Sequence, residues 1–218
     1  MPEAPLSLVP TDSQFAELLQ DLSRYAPVRP YAQAVVREAY IKTPDGLDIT
    51  RVAWGSTALG AQESGWGHLL TPPGPLGRGD YTARTGKWLQ NPFVQVVTEL
   101  PPGWSSSRPG PWAIPSDGKG FGCDVGQCDW CDARHGGWVR ANPNRTPDQV
   151  AAYLVAGYVE LLVECSNVEV YAAEAWNQGM ARLDADLKAG IEPDSTTTDS
   201  YGARFSKFMS IWAPGGAQ

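Results

Sequence analysis

Between Gly65 and Gly122 the chain holds no sustained apolar period, and this stretch limits the possible folds more than any other. Glycine, proline and tryptophan crowd it. Within it one run, Phe93–Leu100 (FVQVVTEL), has strand character. An irregular segment this long inside a compact domain usually serves a function, so loops around a small sheet are expected. The flanking segments are periodic at three and four residues. Helices, an irregular β-containing middle and helices again predict an α+β fold that is predominantly α-helical.

The helices can be placed. Phe15, Leu18, Leu19 and Leu22 share a face between Thr11 and Tyr25, and a second helix is expected from about Pro30 to Tyr40. A third starts after Asp48, a suitable N-cap, and carries Ile49, Val52, Ser56, Leu59 and Glu63 on one face. Gly55 and Gly60 each cost roughly 1 kcal/mol there relative to alanine, so close packing or a bend is expected at them. After the middle, helices resume at Thr146-Pro147 with the stripe Val150, Leu154, Tyr158, Leu161 and Leu162. Asn167 is expected to cap a helix through Trp176. Met180–Leu187 makes another, stopped by Gly190 and Pro193, and Tyr201, Phe205, Phe208 and Trp212 mark the last.

A chain of 218 residues suits one domain with appendages. The expected division is an N-terminal helical extension at 1–29, a main domain at 30–213 with an insertion at about 85–119, and a tail at 214–218. A formal charge of −7 argues against nucleic acid, which draws on clustered Lys and Arg. No apolar stretch approaches the ~20 residues of a membrane span, and no signal peptide is visible at the N-terminus. A monomer without membrane insertion is expected.

Glu63 is the first chemical candidate, although a Glu at a helix end is more often simply turned to solvent. A carboxyl at the C-terminal end of a helix, on its apolar face, is desolvated and meets the negative helix end. Both effects favour the protonated form, which can donate to a glycosidic oxygen.

The residues around it resemble a known superfamily. ALGAQESGWG (58–67) resembles the AxxxxESG signature of goose-type and phage lysozymes and of soluble lytic transglycosylases. Four further segments match in order. GPLGRGDYTAR (74–84) resembles the loop after the catalytic helix. GFGCDVGQCDW (120–130) resembles the G-L-M-Q-I-D motif, with DVGQCD in its place. EAWNQG (174–179) resembles A-Y-N-A-G, with Trp176 for Tyr. AGIEPDSTTTDSYGARFSKFMSIW (189–212) is similar to the closing helix of many phage muramidases.

The resemblance implies a lysozyme-like fold with a small β-lobe and a Gly/Pro/Trp-rich insertion. It also implies a peptidoglycan glycan substrate cut between N-acetylmuramic acid and N-acetylglucosamine, with Glu63 as general acid. Gln127, Trp176, Asn177, Tyr81 and Trp66 would line the sugar groove. A phage-type endolysin or virion-associated muramidase follows from it, acting on the wall after release or carried in a phage particle.

An inverting hydrolase needs a second carboxylate to activate water, and Asp80 and Asp129 are the candidates. A lytic transglycosylase needs none, because the substrate's 6-hydroxyl attacks and leaves a 1,6-anhydro end. A glycan-binding or virion structural protein with the same fold is the non-catalytic alternative. Cys123, Cys128, Cys131 and His135 have the ligand types of a structural zinc site; a disulfide, with Cys165 as one partner, or reduced thiols are the other readings. No cofactor is otherwise expected. Of the nine tryptophans, about half are expected in the core.

Overall fold

Asp48 caps the helix that matters most to the site: its Oδ1 accepts from the Thr50 backbone N–H at 2.8 Å. The computed structural model describes residues 28–64, 70, 76–77, 82–83, 94–100, 109–115, 122–129, 134–193 and 200–212. Among them are seven helices: α1 (Val28–Lys42), α2 (Ile49–Ser64), α3 (His135–Ala141), α4 (Pro147–Glu164), α5 (Glu169–Gln178), α6 (Met180–Lys188) and α7 (Tyr201–Trp212). The five strands are β1 (Thr82–Ala83), β2 (Val94–Val97), β3 (Trp112–Pro115), β4 (Gly122–Cys123) and β5 (Cys128–Asp129). The fold is α+β and mostly helical, with small antiparallel sheets. The helix expected between Thr11 and Tyr25 lies outside the described residues.

The chain divides into two compact units, Met1–Gln62 with Ala151–Gln218, and Glu63–Val150. The first is helical. Its core gathers Val35, Val36 and Ala39 of α1, Val52 and Leu59 of α2, Leu154, Tyr158, Leu161 and Leu162 of α4, and Leu183 and Phe205, all buried. Close approach is written into glycines. A Cβ on Gly55 would lie 2.1 Å from the Tyr158 hydroxyl and 2.3 Å from Cζ, so α2 and the Tyr158 ring pack where only hydrogen fits. One residue earlier on α4, a Cβ on Gly157 would lie 2.7 Å from Trp176 Cζ3. The notch expected at Gly55 is therefore real, and its occupant is Tyr158. The Tyr158 hydroxyl and, separately, Ser56 Oγ are buried with no hydrogen-bond partner among the described residues.

α4 opens on a reciprocal cap. Gln149 N–H donates to Thr146 Oγ1 at 3.3 Å, and Thr146 N–H donates to Gln149 Oε1 at 2.8 Å. Asn167 does not open α5. It has φ 66° and sends its N–H back to the Leu162 carbonyl at 2.8 Å, so it closes α4, and Val168 takes the N-cap position. Asparagine tolerates the left-handed backbone that such an ending needs. α6 ends as expected, with Gly190 at φ 75°.

In the second unit β1, β3 and β2 form an antiparallel sheet in that order. β2 and β3 both lie within residues 85–119, the segment expected as an insertion, which supplies two of the three strands. β4 and β5 form a separate hairpin. Helix returns at His135, earlier than the Thr146 expected from periodicity, because α3 is too short to show a period and carries Gly136 and Gly137 in its first turn. No single described helix is long and apolar enough to cross a membrane.

The Gly55 notch makes a stability prediction. Gly55→Ala gains about 1 kcal/mol of helix propensity but drives a methyl into the Tyr158 ring, and a net loss of roughly 1–3 kcal/mol in urea unfolding is expected. Tyr158→Phe removes a buried orphan hydroxyl and is expected to leave stability unchanged or raise it by up to about 1 kcal/mol.

Candidate functional site

Glu63 is half-buried on the last turn of α2, continuing the face that buries Val52, Ser56 and Leu59. Ser64 ends the helix and is fully buried. Its Oγ donates to the Val125 carbonyl at 2.8 Å. That bond fastens the helix end to the turn Asp124–Gln127, which joins β4 to β5.

The turn is held on two further sides. Asp124 N–H donates to the Gly77 carbonyl at 2.9 Å. Arg145 grips the Asp124 carboxylate with both arms of its fork, Nε to Oδ2 at 2.5 Å and Nη2 to Oδ1 at 2.7 Å. The Asp124 side chain is 1% exposed and that of Arg145 13%. Such a two-point, charge-assisted contact fixes orientation as well as position. The carboxylate also pushes the Arg145 guanidinium further above its ordinary value, first through the hydrogen bond, with desolvation opposing.

Asp124 and Gln127 both adopt left-handed backbone, at φ 62° and 49°. Gln127 is half-buried, and its Nε2 donates to the Asp124 carbonyl at 3.3 Å, so part of its hydrogen-bonding capacity braces the turn. Asp129 ends the hairpin, paired in register with Gly122. One hairpin thus carries Gln127 and Asp129 beside the helix end that carries Glu63. Asp80, Tyr81, Trp66 and Cys131 lie outside the described residues.

Cys123 and Cys128 face each other in register across β4 and β5, at 1% and 6% exposure. His135 starts α3 and is half-buried. Among the described residues no group of three or more His, Cys, Asp or Glu side chains is placed to hold a metal ion. Cys165 belongs to the helical unit, where desolvation above all pushes its thiol up to about 11, and its Sγ lies 3.8 Å from Met180 Sδ.

Trp176 and Asn177 stand on α5. Asn177 is exposed, whereas Trp176 is half-buried with its ring edge over Gly157, a packing role that the motif did not suggest. Trp54, Trp112 and Trp138 are also half-buried, so none of these four indoles is wholly core.

Sequence reasoning missed Glu174. It is buried on α5, and desolvation raises its carboxyl above the ordinary range, while hydrogen bonds from the Asn177 side chain and the Gly202 N–H and the nearby Arg204 charge oppose that. Gly202 is in the first turn of α7, where Ser200 Oγ accepts from Ala203 N–H at 3.1 Å. Glu174 and Ser200 therefore share the capping of α7. Arg204 also reaches Gln62: with the amide oxygen turned towards it, Gln62 accepts from Nε and Nη2 at 2.9 and 3.0 Å. The only hint in the sequence was Glu174's place in a motif whose remaining residues drew the attention. Asp124 and Arg145 gave no hint of pairing, being 21 residues apart.

Comparison with known proteins gives no significant match to a family model, a curated protein or a solved structure.

Two measurements test these clusters. Arg145→Met leaves the Asp124 carboxylate buried without its guanidinium, so a loss of about 3 kcal/mol in urea unfolding is expected. Ser64→Ala, which orphans one carbonyl, should cost roughly 1–2 kcal/mol. For Glu174 the folded pKa is raised above the unfolded one, so its stabilising contribution is full at low pH and is lost as pH rises through the folded value. Glu174→Gln keeps the neutral shape. It is expected to be more stable than wild type at neutral pH, with the gap closing as pH falls below about 4; a gap that widens on acidification would contradict the sign.

Proposed function

We propose that this chain cleaves peptidoglycan glycan strands at the bond between N-acetylmuramic acid and N-acetylglucosamine, using a lysozyme-like arrangement. Glu63 is the general acid that protonates the leaving oxygen. Asp129 or Asp80 activates the water that attacks the opposite face of the sugar, giving inversion. Gln127, Trp176, Asn177, Tyr81 and Trp66 bind the saccharide. The enzyme needs no cofactor and meets the wall after release or from a phage particle.

One observation carries the reading: the Ser64–Val125 hydrogen bond. It ties the segment that resembles the ESG signature to the segment that resembles G-L-M-Q-I-D, and so sets Glu63 beside the hairpin of Gln127 and Asp129. The departure DVGQCD is also intelligible. Asp124 stands at the motif's first glycine, and its φ of 62° is a backbone that glycine favours and aspartate tolerates.

Digestion of purified peptidoglycan followed by mass analysis tests the proposal. Wild type is expected to release reducing muropeptides, and Glu63→Gln to lose at least about a hundredfold in rate. Undiminished activity in that variant, or no cleavage by wild type, would remove the assignment. Products lighter by one water would instead identify a transglycosylase. Asp129→Asn and Asp80→Asn assign the water-activating role: the one that slows cleavage holds it, and if neither does, the role proposed for these two aspartates is wrong.

A further inference from the structure

The β4–β5 hairpin carries a chemistry that the glycan reading does not use. Cys123 and Cys128 are cross-strand partners in register. Partners of this kind project to the same face of the hairpin, with Cα atoms roughly 4.5–5.5 Å apart according to the type of pair. A disulfide accepts Cα separations of about 4.4–6.8 Å. Both side chains are buried. The turn they close is fixed from outside by Ser64, Gly77 and Arg145, so little backbone freedom remains to separate them.

We propose that Cys123 and Cys128 form a disulfide that staples the Asp124–Gln127 turn whenever the protein meets a small-molecule disulfide oxidant. The step is thiol–disulfide exchange. One cysteine sulfur attacks a sulfur of oxidised glutathione, forming a mixed disulfide and expelling one glutathione thiolate, which takes up the cysteine's proton. The second cysteine sulfur then attacks the protein sulfur of the mixed disulfide and expels the other glutathione. Two cysteine thiols and one glutathione disulfide become one protein disulfide and two glutathione thiols. Cys128, the less buried of the pair, is the point of entry. Cys165 takes no part, because burial holds its thiol protonated at neutral pH. The proposal rests on strand register, burial and the fixed turn, and stands apart from the glycan reading.

The sequence makes the bond easy to map. An endoproteinase that cuts before aspartate separates residues 117–123, 124–128 and 129–131, placing Cys123, Cys128 and Cys131 on three different peptides. The native protein is incubated with oxidised glutathione, its remaining thiols are alkylated, and the digest is weighed without reduction. Peptide 117–123 is expected joined to 124–128, lighter than their sum by two hydrogen atoms, with Cys131 and Cys165 alkylated. Cys123→Ser is expected to retain one glutathione on Cys128, the trapped first intermediate. The proposal is overturned if both peptides carry the alkyl group, if either is joined to the peptide bearing Cys131 or Cys165, or if the purified protein holds one equivalent of zinc that alkylation of these thiols releases.

Discussion

The Asp124–Arg145 contact is the constraint on which the second unit's candidate site depends. A turn with two non-glycine residues in left-handed backbone resists its own geometry, at a cost of order 1–2 kcal/mol for each. A carboxylate almost wholly withdrawn from water adds a larger penalty. Both are tolerated because the guanidinium meets the carboxylate on two atoms and the backbone on either side is fastened to Gly77 and to Ser64. Buried ion pairs are weak contributors to net stability and strong contributors to orientation. Here the orientation is that of the hairpin beside Glu63.

The helical unit solves a different problem. Its helices approach closely through glycines that receive aromatic rings, Gly55 taking Tyr158 and Gly157 taking Trp176. Because Gly157 and Tyr158 are neighbours on α4, that helix gives its own ring to α2 and receives one from α5. The exchange of hydrogen atoms for ring edges brings dispersion contacts at short range, and it leaves a tyrosine hydroxyl without a hydrogen-bond partner among the described residues. α7 is then set by polar groups, with Glu174 and Ser200 sharing its first turn.

Long periodic segments were legible in the sequence, and the reasons are local. Asp48, Thr146 and Gly190 act through atoms within four residues, so their roles can be read directly. The stripe through Val52, Ser56 and Leu59 fixed the face on which Glu63 stands. What could not be read were pairings across distance. Nothing in the chain announces that Arg145 belongs to Asp124 or that Tyr158 fills Gly55. Short elements also escaped: α3 and the two-residue strands are held by their surroundings and carry no period of their own. Asn167 misled because asparagine suits both a helix start and a left-handed ending, and only the Leu162 carbonyl decides between them. In the second unit the hairpin of Gln127 and Asp129 was visible as a motif; in the helical unit the work of Glu174 was hidden because its partners lie on another helix.

The left-handed backbone at Gln127 has a consequence for how variation at this position reads. Most side chains there are penalised before any ligand is considered, whereas glycine and asparagine are not. Natural drift at the position is thus channelled towards residues chosen for conformation, and a tally of which substitutions survive would report the shape of the turn as much as the recognition of a sugar. Gln127 occupies that backbone with an amide nitrogen already bonded to the turn it belongs to.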